Sequence, residues 1–184
     1  GLMNFKINRN KFYSALQIVG RSVSGYSPIP ALCGILIEAE TDKLILTGSN
    51  SDISIQTILT NENDEKTALS VIEAGKIVID SRYLLEIVRK IDSEDINIEI
   101  IDGTLTRLFG GNAEYKINGY RPNDYPNIDF TSPETHFILK AKDLNTIINV
   151  TAFATSNKET RPVLTGVNFL STGSELKATA TDSY

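Results

Sequence analysis

The 184 residues are 41% apolar and 22% charged, an ordinary globular composition that excludes an intrinsically disordered chain. No apolar run approaches the ~18 residues needed to cross a bilayer, and the net charge of −5 argues against a uniformly basic nucleic-acid binder. Cys33 is the single cysteine, so no internal disulfide is possible; with no signal peptide at the start, the expected compartment is the cytoplasm.

Gly1 and Leu2, ahead of Met3, read as a scar of tag removal and are left out of the fold. Residues 3–7 alternate and read as a strand. Asn10 is placed to cap a helix to about Val19, with Phe12, Ala15, Leu16 and Val19 on one face. Residues 25–30, with Pro28 and Pro30, form a loop. Residues 34–40 and 43–48 make a hairpin across Thr41-Asp42, and 52–59, 67–72 and 76–80 are further strands. Ser81 is placed to cap a second helix to about Ile91, burying Leu84, Leu85, Val88 and Ile91. Strands over 95–101, 104–109 and 113–118 follow, turned at Asp102-Gly103 and Gly110-Gly111. The stretch YRPNDYPNID (120–129), with two prolines and no periodicity, reads as a linker. Residues 136–141 then read as a strand and 142–153 as a helix. The fold class is α+β: each unit is a strand, a helix and antiparallel strands, with helices on one side and sheets on the other.

The last two elements repeat the first two. A gapless shift of 132 residues places Phe5 on Phe137, Phe12 on Leu144 and Leu16 on Ile148. The same shift places Pro30 on Pro162, Leu32 on Leu164, Gly34 on Gly166 and Asn50-Ser51 on Asp182-Ser183. Apolar positions match apolar positions through two periodicities, which favours duplication over two unrelated β-α-β units. The expected organisation is a first domain over 3–120, a linker over 121–135, and the opening of a second domain over 136–184.

Catalytic signals are poor. His136 is the only histidine and starts a strand, so it reads as a surface residue and not as part of a triad or metal site. Cys33 lies in an apolar run and reads as buried and inert. No phosphate-binding glycine loop occurs, and the acidic run 62–65 reads as a solvated loop. The expectation is a protein without catalytic residues, metal or cofactor. Opposite their apolar stripes, the second helix carries Arg82, Arg89 and Lys90 with Glu86 between them, and the first carries Ser14, Gln17 and Arg21. The expected third helix carries Lys142, Asn149 and Phe153 there. On residues alone these are solvated faces.

The stretches MNFKINRNKFYSAL, IPALCGILIEA, DYPNID, and TRPVLTGVNF followed by ATATDSY, in this order and spacing, resemble the bacterial β sliding clamp family. That family supplies the processivity subunit of the replicative DNA polymerase. The resemblance covers the chain from Met3 and implies the N-terminal part of one subunit. In such a ring, helices line a hole around duplex DNA and sheets form the outside. It turns the solvated faces into DNA-facing ones: Arg21, Arg82, Arg89, Lys90, Lys142, Asn149, Lys158 and Arg161. Family members often carry a basic residue where this chain has Tyr26, which puts one phosphate contact in doubt. The resemblance also implies a partner-peptide pocket whose first wall is Leu164, Thr181, Ser183 and Tyr184, incomplete here. A subunit interface would form on strand 113–118 through Tyr115 and Ile117. Implied partners are double-stranded DNA, the polymerase, the clamp loader and a second subunit in a homodimeric ring; no membrane is involved. Lacking the domains that cover its strand edges, this chain is expected to make non-native edge contacts, or to be comparatively mobile after about Thr135. Two other classes stay open: a β-rich adaptor that binds only protein, and an enzyme whose active site lies beyond Tyr184.

Overall fold

The computed structural model describes residues 2–50, 52–131, 133–141 and 144–152. Its strands in chain order are β1 (Asn4–Asn8), β2 (Gly34–Ala39), β3 (Lys43–Ser49), β4 (Ile53–Thr60), β5 (Ser70–Glu73) and β6 (Gly75–Asp80). They continue with β7 (Asp95–Asp102), β8 (Leu105–Gly110), β9 (Ala113–Asn118), β10 (Thr135–Ala141) and β11 (Leu144–Ala152). The helices are α1 (Arg9–Gly20) and α2 (Ser81–Lys90).

The strands form two antiparallel sheets, ordered β5-β1-β7-β8-β9 and β10-β11-β4-β3-β2-β6. The first domain consists of two successive units, β1-α1-β2-β3-β4-β5 and β6-α2-β7-β8-β9, which exchange their leading strands. β1 leaves β2, β3 and β4 to pair with β7, Phe5 opposite Ile98, while β6 crosses to pair with β2, Ile79 opposite Ile35. A single core joins both sheets to both helices, with Phe5 and Phe12 meeting edge to face. The expected stripe of Phe12, Ala15, Leu16 and Val19 is fully buried, as are Leu84, Val88 and Ile91.

Both helices begin earlier than their sequence signals imply, α1 by two residues and α2 by one. Asn8 caps α1, its side chain accepting the Lys11 backbone N–H at 3.0 Å, and Asn10 is exposed inside the first turn. Asp80 caps α2, accepting the Tyr83 N–H at 3.2 Å, so Ser81 is the first helical residue. In each case the cap sits at the end of the preceding strand, where extended backbone turns into helix. The β8–β9 turn needs Gly111, whose φ of +55° is strained for any residue with a Cβ.

The stretch after β9 does not run free. Tyr120 pairs with Val78 on the edge of β6, its N–H donating to the Val78 carbonyl at 2.7 Å. Tyr125 packs with Ala31 and Val78 in a second, smaller core on the outer face of the sheet. The acidic run also departs from a solvated loop. Asp64 pairs with Lys11 at 2.9 Å, and their side chains are only 15% and 7% exposed.

The largest departure is β11. The repeat and the stripe at Leu144, Ile147, Ile148 and Thr151 predict a helix, yet this segment lies in a strand between β10 and β4. Leu144, Thr146, Ile148, Val150 and Ala152 are buried, an alternation with the strand period of two. Thr146, Ile147, Ile148, Val150 and Thr151 are β-branched, stiff in a helix and well suited to a pleated surface. The same residues therefore satisfy both periods, and the open edge of β4 decides between them.

Candidate nucleic-acid interface

α1 and α2 lie side by side and antiparallel. Arg9, at the start of α1, donates from Nε to the Val88 carbonyl at 3.0 Å and from Nη2 to the Arg89 carbonyl at 2.6 Å, at the end of α2. These bonds give the Arg89 carbonyl a partner at the helix end, add a second donor to the Val88 carbonyl, which also accepts the Ile91 N–H, and place a cation against the negative pole. At the other end, Gly20 approaches α2 so closely that a Cβ there would sit 3.1 Å from Leu85 Cδ1. Arg9 also lies over the Tyr13 ring, 5.1 Å from its centroid. Sequence reading does not single out Arg9, whose only signal is a guanidinium in the first turn of a helix.

This pairing gathers the expected cations of the described residues on one surface. Arg82, Arg89 and Lys90 are exposed on α2, seven and eight residues apart along one face. Arg21, half-buried, follows the C-terminal end of α1, beside the N-terminal end of α2 and Arg82. Burial lowers the Arg21 pKa, which still leaves the guanidinium charged at neutral pH. Glu86 pairs with Arg89, and Lys90 Nζ lies 3.6 Å from it. The Arg89 hydrogen bond holds the Glu86 carboxyl below the usual carboxylate range. Two cations around one carboxylate leave a surplus of positive charge, and Arg82 has no ion-pair partner among the described residues. Three long cationic side chains thus stand exposed to water on this surface.

Asn149 does not join it. It lies in β11, 7% exposed, donating from Nδ2 to Gln56 Oε1 at 2.9 Å and hydrogen-bonded to the His136 ring through Oδ1. Residues 144–152 form a strand, so Asn149 packs on the sheet and has no helix face to occupy. Lys142, Lys158, Arg161, Leu164, Thr181, Ser183 and Tyr184 lie outside the described residues. Cys33 is half-buried, not buried: it lines a cavity of about 290 Å³ with Val23, Ser24, Gly25 and Arg82. Tyr26 follows that cavity's rim and is 82% exposed. Tyr115 and Ile117 are half-buried on β9, at the end of its sheet, with β8 its one neighbouring strand among the described residues. No group of three or more His, Cys, Asp or Glu among the described residues is arranged to hold a metal ion, and no helix there is long and apolar enough to cross a membrane.

Residues 3–129 match the family model of the DNA polymerase III beta subunit, N-terminal domain, and 138–184 match that of its central domain. The chain belongs to this family. Among relatives, the beta sliding clamp of Halalkalibacterium halodurans is 39% identical over 182 residues, covering 99% of this chain and 48% of the relative. The beta sliding clamp of Bacillus subtilis is likewise 39% identical over 183 residues, covering 99% and 48%. The chain thus spans about half the length of the curated relatives it matches. The solved sliding clamp of Bacillus subtilis superimposes with a TM-score of 0.68 at 33% identity, over 72% of this chain and 35% of that one. The polymerase III beta chain of Streptococcus pneumoniae gives 0.67 at 27% identity, over 74% and 36%. The α+β fold of this chain is therefore the clamp fold, built of paired sheets with both helices side by side.

Proposed function

We propose that this chain is part of a non-catalytic DNA sliding clamp, a ring that holds the replicative polymerase on duplex DNA without reading sequence. The observation that carries this reading is the antiparallel α1–α2 pair, which presents Arg82, Arg89 and Lys90 to solvent on one surface in a protein of net charge −5. A few exposed cations give weak, salt-sensitive, sequence-independent attraction, so retention on DNA would come from closure of the ring. Lys142, Lys158 and Arg161 would extend the cationic surface. Clamp relatives would supply the model for the partners: the polymerase and clamp loader, whose binding peptides would reach a pocket begun by Leu164, Thr181, Ser183 and Tyr184. A second subunit would add its sheet to the outer edge of β9 beside Tyr115 and Ile117, making a homodimeric ring in the cytoplasm.

The test is charge reversal at Arg82 and Arg89 in the full-length protein. The R82E/R89E variant should still fold, because the charge reversed in the first turn of α2 is favoured by the helix dipole while the one reversed in its last turn is disfavoured, each by about 0.3–1 kcal/mol. Its clamp-dependent DNA synthesis should fall, and the salt dependence of DNA association should flatten by about one in slope for each phosphate no longer neutralised. Unchanged DNA association would overturn the assignment of this surface.

A further inference from the structure

We propose that the cavity between residues 122–130 and the outer face of the six-stranded sheet is a binding site for a small zwitterion with an apolar side chain, in chemical class a free amino acid. The cavity measures about 270 Å³. That is just below the range of sites for drug-sized ligands, so it suits one small molecule.

Strand register builds the floor. Leu36, Thr47 and Gln56 stand opposite one another across β2, β3 and β4, and Glu38 stands opposite Lys76 across β2 and β6. Directly opposed residues share a face of the sheet, and all five line the cavity. The roof is the chain after β9, which brings half-buried Ile128 and Phe130 over Leu36 and its neighbours. Tyr125 seats this stretch in the smaller core, with its own hydroxyl buried and without a partner.

Three polar groups on the floor are left unanswered. Glu38 is half-buried and Lys76 exposed, and neither forms an ion pair among the described residues although they face each other across paired strands. Burial raises the Glu38 pKa even though Lys76 favours its charged form. The carboxylate therefore lacks a close donor that would offset its desolvation. Thr47 is only 3% exposed, and its hydroxyl has no hydrogen-bond partner among the described residues. Buried polar groups are normally partnered, because leaving one without a partner is costly.

One kind of molecule answers all three. Its ammonium sits between Glu38 and the Thr47 hydroxyl, its carboxylate turns to Lys76, and its apolar side chain lies between Leu36 and the Ile128–Phe130 roof. A plain cation would be drawn to Glu38 and repelled by Lys76, and a plain anion the reverse. Because it touches sheet and roof together, the bound molecule also holds residues 122–130 to the sheet.

L-leucine is the probe, compared with leucinamide, which lacks the carboxylate, and N-acetylleucine, which lacks the ammonium. Affinity for the full-length protein is read by saturation-transfer NMR, and location by hydrogen exchange with mass spectrometry. Leucine should bind saturably and slow exchange over 123–130, while the two derivatives bind at least about tenfold more weakly, each having lost one charge-assisted contact. Glu38→Gln should abolish the response to leucine, and Lys76→Met should make leucine and leucinamide equally weak. Neither substitution removes an ion pair, so both variants should melt with the wild-type protein. No saturable binding of leucine, equal binding of all three compounds, or an unchanged leucine response in both folded variants would overturn the proposal.

Discussion

Lys11 and Asp64 form the one described ion pair with both side chains largely withdrawn from water, at 2.9 Å. The Lys11 hydrogen bond is the main cause that holds the Asp64 carboxyl below the usual aspartate range. A depressed carboxylate contributes stability that is fully present above the ordinary aspartate pKa and declines as pH falls through the folded value. Asp64→Asn should therefore destabilise the protein by about 3 kcal/mol at pH 7, because it leaves the Lys11 ammonium buried and unpaired. It should also flatten the decline in stability on the acid side. Urea unfolding at pH 7 and near pH 3 checks both, and a double variant, Lys11→Met with Asp64→Leu, should be less damaged than D64N alone. Nothing local in the sequence announces this pair. Lys11 is a polar residue in a helix's first turn, and Asp64 comes from a loop more than fifty positions away, so only the packing of α1 against the end of β4 brings them together.

At the scale of elements, the caps and the strand–helix boundaries decide what is legible. Both helical stripes are readable because a period near 3.6 over three turns has few competing explanations. The caps are not, since Asn8 and Asn10 are the same residue type, and Asp80 and Ser81 are both good caps. The choice depends on which side chain reaches a backbone N–H three residues ahead. Asn8→Ala and Asp80→Ala should each cost about 1 kcal/mol, while Asn10→Ala and Ser81→Ala should cost clearly less. Thermal melts of the four variants would show the order. β11 defeats sequence reading for a different reason: a stripe of Leu144, Ile147, Ile148 and Thr151 fits a helix, and Leu144, Thr146, Ile148 and Val150 fit a strand. Choosing between them needs the open edge of β4, which is a property of the sheet.

For the whole molecule, the edges of the two sheets matter most. β4 is covered by β11 and β6 is bridged by Tyr120, but among the described residues β9, like β5 and β10, pairs on one side only. Glu114 and Lys116 on it are charged and exposed, which blunts indiscriminate pairing, while Tyr115 and Ile117 keep an apolar face beside the open edge. If a second subunit seats there, Ile117→Lys in the full-length protein should shift sedimentation toward single subunits and abolish retention on circular DNA. The far-UV spectrum should stay unchanged. Retained dimer would place the subunit interface elsewhere. The sheets and helices of the first domain are largely legible in the sequence, and so are Arg82, Arg89 and Lys90 as a cationic face. Their meeting with Arg9 and Arg21 is not, because it depends on the antiparallel approach of two helices some sixty residues apart.

The exchange of β1 and β6 between half-units also governs how the chain reaches this state. Phe5 must find Ile98, about ninety residues along, before the sheet β5-β1-β7-β8-β9 is whole. Closing so long a loop costs entropy before any pairing rewards it, and folding dominated by such pairings is slow. During synthesis β1 can meet β5 first, and its other side stays unpaired until β7 has emerged. Neither sheet can therefore be completed by one strand-helix-strand unit of the first domain alone.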